Sequence, residues 1–465
     1  MRLTLQFRFR FRWAYCQLQA LKKLKSTSPK YVKQALDALP ATLDDTYTRV
    51  LLDIDEVYHD HALTLLRWLA YARSPPTLGE LVDAAVTDPI HESSVDAGNR
   101  GGLEDTLNIL SGLVTVEESK DADVEGRSEI KYLTTDVSVI DHDPADVGSH
   151  SRDPTSDTRV RLAHFSVKEY LESKRILKSR ADQFYLESAI GHKVLAQSCL
   201  TYLRYYSASY EKTLTIQDLE AFPLLKYAAQ SWFYHSTLQC SGEASREISL
   251  LRIEQARDDW LVVHDPDDPW NEPFQRSKRK NGGSASAIYY ASLLGLPAVV
   301  AKLLHNGADV NTEGGAYDSP IQAASAEGHE GIVQLLINNE ANVNAEGGLY
   351  NSPIQAASAR GHEGIVQLLI DNKANVNAKS GRYGSPMQAA SAFGYEGIVQ
   401  LLIDNKANVN AKGGRYGSPI QAASARGHEG IVQLLIVNKA NVNAEGGDYG
   451  SPVQAVSAEG DKITV

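Results

Sequence analysis

SPIQAASAEGHEGIVQLLINNEANVN, residues 319–344, returns almost letter for letter every 33 residues, and its proline recurs at Pro320, Pro353, Pro386, Pro419 and Pro452. A fixed period of this length is the pattern of a helix-pair solenoid when a Pro opens one short apolar segment, a Gly precedes a second and an Asn-rich loop follows. Ser319 suits an N-cap, Pro320 the first helical position and Gln322 the third, which predicts an S-x-x-Q capping box. Ala323, Ala324, Ser325 and Ala326 keep the first helix thin enough for close stacking, and Gly328 ends it in a left-handed turn. Ile332, Val333, Leu335, Leu336 and Ile337 make a second, more apolar helix. Neither helix can bury that surface alone, so the units must stack.

These residues resemble the ankyrin repeat, whose motif runs T-P-L-H-x-A-A-x-x-G-H, then V-V-x-L-L-L, then G-A-D-V-N. The resemblance covers residues 285–465 as five full units and a truncated sixth, the first unit matching more loosely through Gly295, Leu303, Leu304 and GADVN. It implies an α-solenoid with short β-hairpin loops. Gln322, Gln355, Gln388, Gln421 and Gln454 stand where the family has His. The family's Gly after the second helix survives only as Gly307, and Glu340, Lys373, Lys406 and Lys439 replace it elsewhere. Asn tolerates a left-handed backbone better than Glu or Lys, so the turn is expected on Asn339, Asn372, Asn405 and Asn438. The sixth unit reads SPVQAVSAEGDKITV without an apolar second helix, which predicts an uncovered outer face on the fifth unit around Ile431, Leu434 and Leu435.

With 465 residues the chain is long enough for two or three domains. It is mainly α by pattern. Its hydrophobic fraction of 43% and charged fraction of 22% are ordinary for a globular chain, and no apolar run is long enough to span a bilayer, so no membrane partner is expected. A formal net charge of −12 argues against nucleic acid as a general partner. Cys16, Cys199 and Cys240 lack C-x-x-C spacing, which suits a reducing, cytoplasmic compartment and neither a disulfide framework nor a zinc site. The basic run Arg276, Ser277, Lys278, Arg279, Lys280 offers a nuclear-import alternative. The first 34 residues carry nine Lys or Arg and no acid, which reads either as a transit-type segment or as the edge of a larger ancestral domain.

Residues 1–54 read as a helical segment, and residues 55–178 as helix, helix, helix, strand, long polar insertion (118–158), strand, helix, the order of a winged-helix module. A helical domain (179–263) and a linker (264–284) rich in Pro and Gly follow. FRWAYCQLQAL, LPATLDDTYTRVLL, LLRWLAYARSPPTLGELVDA, LAHFSVKEYL and FPLLKYAAQSWFYH resemble the segment that follows the nucleotide-binding NACHT domain in fungal NOD-like (STAND-type) receptors. The G-x-x-x-x-G-K-[ST] phosphate loop of that domain is absent from the sequence, so no nucleotide and no other cofactor is expected.

Chemistry-bearing residues give little else. His59 and His61 in EVYHDH are two apart and point to different sides of a helix, which disfavours a metal site. His329, His362 and His428 fall 33 residues apart and read as inter-helix turn residues bonded to backbone. Ser166 lies outside a G-x-S-x-G elbow. The helix expected at residues 103–113 holds Glu104 and Asp105 without a cation, unlike a groove-reading helix. No enzyme activity is read.

What varies among the units is informative. Ala316, Leu349, Arg382, Arg415 and Asp448 precede a shared Tyr, and Glu327, Arg360, Phe393, Arg426 and Glu459 end the first helix. Leu349, Arg360, Arg382, Phe393, Arg415 and Arg426 are therefore the candidate contacts for a protein partner, since Arg and aromatic side chains dominate binding hot spots. The function expected is a protein-interaction module. The alternative is a truncated STAND-type receptor that assembles with a NACHT-containing homologue.

Overall fold

The computed structural model describes residues 28–37, 39–89, 95–117, 155–239, 244–275, 284–379, 381–448 and 450–454. The N-terminal basic segment to residue 27, most of the polar insertion, the run 276–280 and the sixth unit beyond residue 454 lie outside the described residues. The chain forms two compact units that divide between Ser198 and Cys199, with residues 222–224 joining the first.

In the first unit, helices α1 (Pro29–Asp37), α2 (Leu43–Leu52), α3 (His59–Tyr71), α4 (Leu78–Ala85) and α5 (Leu103–Ile109) are followed by strands β1 (Val114–Val116) and β2 (Val160–Leu162), then α6 (Phe165–Leu171). The strands pair antiparallel with Val114 opposite Leu162. This is the order of helices and strands read from the sequence. Local signals start the helices: the Thr42 hydroxyl accepts from Asp45 N, and Thr77 with Glu80 closes a capping box at 3.2 and 2.8 Å. Tyr47, Leu51, Leu65, Leu66, Trp68, Leu81, Val167 and Leu171 form the buried interior.

Helix α7 (Ser188–Ala208) runs from the first unit into the second. There α8 (Asp218–Ala221), α9 (Leu225–Leu238), α10 (Ser245–Arg252) and α11 (Glu254–Val263) precede five helix pairs. The loop after α7 is held by buried Asp218, which accepts from the Tyr206 hydroxyl at 2.6 Å, from Thr213 N and Oγ1 and from Leu214 N. These bonds hold the Asp218 carboxyl below its ordinary value despite burial.

The pairs are α12 (Ala287–Leu293) with α13 (Pro297–His305), α14 (Pro320–Glu327) with α15 (Glu330–Asn338), α16 (Pro353–Arg360) with α17 (Glu363–Asp371), α18 (Pro386–Phe393) with α19 (Glu396–Asp404), and α20 (Pro419–Ala425) with α21 (Glu429–Val437). First helices pack most closely against one another, through Ala323, Ala324, Ala326 and their repeats, all buried. Second helices bury Ile332, Val333, Leu336 and their repeats, apart from Val432 of the fifth pair, which is half-buried. Gly328, at φ 80°, has two reasons to lack a side chain, because a Cβ there would also meet the His362 ring at 2.6 Å.

The solenoid begins on the preceding helices rather than on a polar cap. Trp260 on α11 makes edge contacts with Trp232 at 5.6 Å and with Tyr290 of the first pair at 5.8 Å, and its Nε1 donates to Ala229 O. Asp267, in the stretch read as a linker, accepts from the Tyr289 hydroxyl at 2.5 Å, and Arg257 donates to Ser284 Oγ.

Three expectations are corrected. The capping box is altered: Gln322 N donates to Ser319 Oγ and the Ser319 hydroxyl donates to Gln322 Oε1 at 2.6 Å, while the Gln322 amide nitrogen crosses to Gly347 O of the next unit at 2.9 Å. The left-handed turn falls on Glu340, Lys373, Lys406 and Lys439 (φ 64–70°), while Asn339, Asn372, Asn405 and Asn438 keep negative φ. The reason is register. Ala341 N bonds Leu336 O and Glu340 N bonds Ile337 O, a Schellman pair that demands the left-handed residue just before the buried Ala. Finally, Ile431 and Leu435 are buried, Val432 and Leu434 are half-buried, and the exposed apolar residues of that helix are Ile436 and Val437. Among the described residues the hairpins carry single bridges, such as Gly347 with Asn351.

Two stability outcomes follow. Lys406→Gly is expected to raise the stability of the repeats by about 0.5–1 kcal/mol in urea denaturation, by relieving a left-handed non-glycine residue. Trp260→Ala is expected to lower it by about 3–5 kcal/mol, as loss of a fully buried indole does.

Candidate partner-binding face

Tyr317, Tyr350, Tyr383 and Tyr416 end successive hairpins, and the first three rings stack into a ladder whose last ring packs against the cluster of Tyr416. Tyr317 stacks on Tyr350 at 6.0 Å and Tyr350 on Tyr383 at 6.1 Å, with planes 6° and 17° apart. Between the tips, Leu349 N donates to Ala316 O, Arg415 N to Arg382 O and Asp448 N to Arg415 O. The ladder thus fixes the residues that precede each tyrosine, Leu349, Arg382 and Arg415 among them.

The same rings reach the ends of the first helices. The Tyr317 hydroxyl donates to Glu327 at 2.9 Å, Arg360 Nε donates to the Tyr350 hydroxyl at 3.0 Å, and Arg426 donates to the Tyr416 hydroxyl at 3.2 Å. Arg360 also reaches Tyr317 at 3.2 Å and lies 3.7 Å from Glu327. Burial, then the Glu327 carboxylate, pushes the Tyr317 hydroxyl above its ordinary range, so it remains a donor. Phe393, 42% exposed, meets Tyr383 edge-on at 5.3 Å and lies 6.4 Å from Tyr395. The six sequence-predicted contacts therefore lie along one ladder. Two of the arginines are braced by tyrosines, and Arg415 pairs with Asp448 at 3.2 Å. The ladder itself was not read from the sequence, although a Tyr at the same place in successive units was its signal.

Other polar residues are used up between units. His329 Nε2 contacts Leu293 O at 3.1 Å, His362 Nε2 contacts Ala326 O at 3.0 Å and His428 Nε2 contacts Ala392 O at 3.4 Å, which is the backbone role read for them. Asn342 N donates to Asn311 Oδ1 at 2.8 Å, and the same bond joins Asn375 to Asn344, Asn408 to Asn377 and Asn441 to Asn410.

In the first unit, His59 Nε2 contacts Ile54 O and its ring meets Phe184 edge-on at 5.2 Å. Ser166 is buried, with Oγ at 2.8 Å from the Tyr47 hydroxyl and 2.6 Å from His164 Nδ1, and that imidazole caps α6 by accepting from Ser166 N. Glu104 and Asp105 lie exposed on α5, and Arg100 pairs with buried Asp83 at 2.7 Å. Among the described residues no His, Cys, Asp or Glu group is arranged to hold a metal ion, and no helix is long and apolar enough to cross a membrane.

The ankyrin-repeats family model matches residues 288–380 and 320–413, and the single ankyrin-repeat model matches 417–446. The C-terminal helix pairs are ankyrin repeats. The "Azaphilone pigments biosynthesis cluster protein L" of Monascus ruber is 31% identical over 313 residues, which are 64% of this chain and 59% of that protein. The chain thus spans under two thirds of that relative's length. Ankyrin repeats are a protein-interaction architecture, and this face belongs to them.

Burial, partly countered by the bond to Leu293 O, holds the His329 imidazole below its ordinary 6.5. Between the folded and unfolded values the unfolded chain binds more protons, so this contribution is intact above 6.5 and is lost as pH falls below it. Thermal melts of the full chain are expected to show Tm falling from about pH 7 to about pH 5. His329→Tyr, which copies Tyr395 of the fourth unit, is expected to fall less over that interval.

Proposed function

We propose that this chain is a protein-interaction component whose ankyrin repeats hold one protein partner on the hairpin and first-helix face. The observation that carries this reading is the tyrosine ladder. It braces Arg360 and Arg426 and aligns Leu349, Arg382, Phe393 and Arg415, and a rigid row of Arg and aromatic side chains is what a binding hot spot needs. Variation among units that are otherwise nearly identical falls on this row, and also at Glu340, Lys373, Lys406 and Lys439 and at Glu346, Lys379, Lys412 and Glu445. No catalytic step, nucleotide, nucleic acid or membrane belongs to the reading, and the compartment is the cytoplasm, with the run Arg276, Lys278, Arg279, Lys280 as a route to the nucleus.

A second reading rests on the N-terminal resemblance to the segment that follows NACHT domains. In it the chain acts through assembly with a NACHT-containing homologue. The relative's name supports a setting for either reading: this chain would serve among the proteins of a pigment biosynthesis cluster as an interacting component rather than a catalyst.

The test is affinity capture with the full chain, followed by mass spectrometry, beside a variant carrying Ala at Leu349, Arg360, Arg382, Phe393, Arg415 and Arg426. The expected outcome is loss of a specific partner with the variant. Equal capture by both chains would sink the proposal, and a NACHT-containing homologue captured equally by both would favour the second reading.

A further inference from the structure

The fourth unit breaks the pattern of the ladder. In the second, third and fifth units the tyrosine hydroxyl is bonded to the residue ten positions on, Glu327, Arg360 or Arg426. In the fourth unit that residue is Phe393, which offers the hydroxyl nothing but its ring. Among the described residues, the Tyr383 hydroxyl has no hydrogen-bond partner, and the tyrosine is half-buried beside the exposed Phe393.

Charge changes at the same place. The fourth and fifth units, over 379–393 and 412–426, contain Lys379, Arg382, Lys412, Arg415 and Arg426 and no carboxylate. The second unit, over 313–327, carries Glu313, Asp318 and Glu327 and no cation, and the sixth unit opens with Glu445 and Asp448. The face is therefore a basic strip two units wide between carboxylates. Arg415 and Arg360 already pair with the carboxylates at its margins, Asp448 and Glu327. A long polyanion such as a nucleic-acid strand would run from the strip into those carboxylates, whereas a short segment stays within it.

Resting on the reading of this face as a partner-binding surface, the geometry points to a short acidic peptide segment with an apolar side chain beside its carboxylates as the occupant. Its carboxylates take hydrogen bonds from the Arg382 guanidinium and the Tyr383 hydroxyl, and its apolar side chain packs on Phe393. The flanking carboxylates reject acidic chains out of register, so that charge selects position as well as class.

Fluorescence anisotropy of the labelled heptapeptides EEDLFEE, EEDSSEE and QQNLFQQ, titrated with the full chain, tests this. EEDLFEE is expected to bind, the other two at least about tenfold more weakly, and its affinity to fall as salt rises. Arg382→Glu is expected to weaken EEDLFEE by at least about tenfold, and Phe393→Ala to remove its advantage over EEDSSEE. Tyr383→Phe keeps the ring stack and is expected to weaken the acidic probes alone. Circular-dichroism melts establish that each variant is folded, with Arg382→Gln used should Arg382→Glu not fold. Binding of QQNLFQQ as tight as that of EEDLFEE, no binding of any probe, indifference to these variants, or tighter binding of a labelled oligothymidylate would each overturn the proposal. If a captured protein is lost on the six-alanine variant but EEDLFEE does not displace it, the face is right and the acidic class wrong. If capture survives that variant, the face itself is wrong.

Discussion

Three of the repeated polar side chains in the solenoid spend a hydrogen bond on the unit next door. His329 crosses to Leu293 O, Gln322 to Gly347 O and Asn311 to Asn342 N, each repeating 33 residues on in most units. A buried backbone group without a partner is costly, so these links are obligations of the stack rather than ornaments of one unit. They make each unit incomplete alone, and they explain why the repeated letters hardly change. The apolar burial of Ile332, Val333 and Leu336 supplies much of the stabilisation, but the crossing bonds set the register in which that burial occurs.

That constraint divides the surface. Positions whose side chains tie units together are spoken for. Residues at the hairpin tips and at the ends of the first helices touch the neighbouring unit through the tyrosine ladder, the tip backbone and the ion pairs of Arg360 with Glu327 and Arg415 with Asp448, which leaves the side chains of Leu349, Arg382 and Phe393 open to other uses. The ladder itself is a compromise between the two roles. Stacked rings at about 6 Å hold the tips in line, while their hydroxyls act outward to orient Arg360 and Arg426. An arginine held by a tyrosine hydroxyl has lost less freedom on meeting a partner, which is how orientation becomes affinity.

The sequence made the repeats legible because their signals are local: a Ser cap, a Pro at the first helical position, a Gly that accepts a left-handed backbone. It misled wherever a residue answers to a distant neighbour. Gln322 looked like half of a capping box, and its amide oxygen does accept from the Ser319 hydroxyl three residues away, but its amide nitrogen is claimed by Gly347, twenty-five residues on. Asn339 looked like the left-handed residue by propensity, but the buried Ala341 sets the register of the helix end and places the strain on Glu340. Asn339 instead turns its amide back to Leu335 O. The contact residues were found by comparing units, because variation survives where the stack demands no particular side chain. Their support was missed, since an unchanging tyrosine looks the same in sequence whether it fills a core or lines a surface.

The closing of the solenoid's first end extends the same logic. An exposed first pair would leave Tyr289 and Tyr290 without covers, and the chain answers with one aromatic and one acidic side chain: Trp260 edge-on to Tyr290, Asp267 on the Tyr289 hydroxyl. That hydroxyl in turn accepts from Tyr317 N at 3.1 Å, so the first rung of the ladder is seated on a ring that the preceding helices hold in place. Orientation of the proposed contacts therefore starts before the repeats do. A repeat fragment beginning at residue 284 would keep Tyr289 but lose Asp267 and Trp260, and with them the fixed end against which the ladder is stacked.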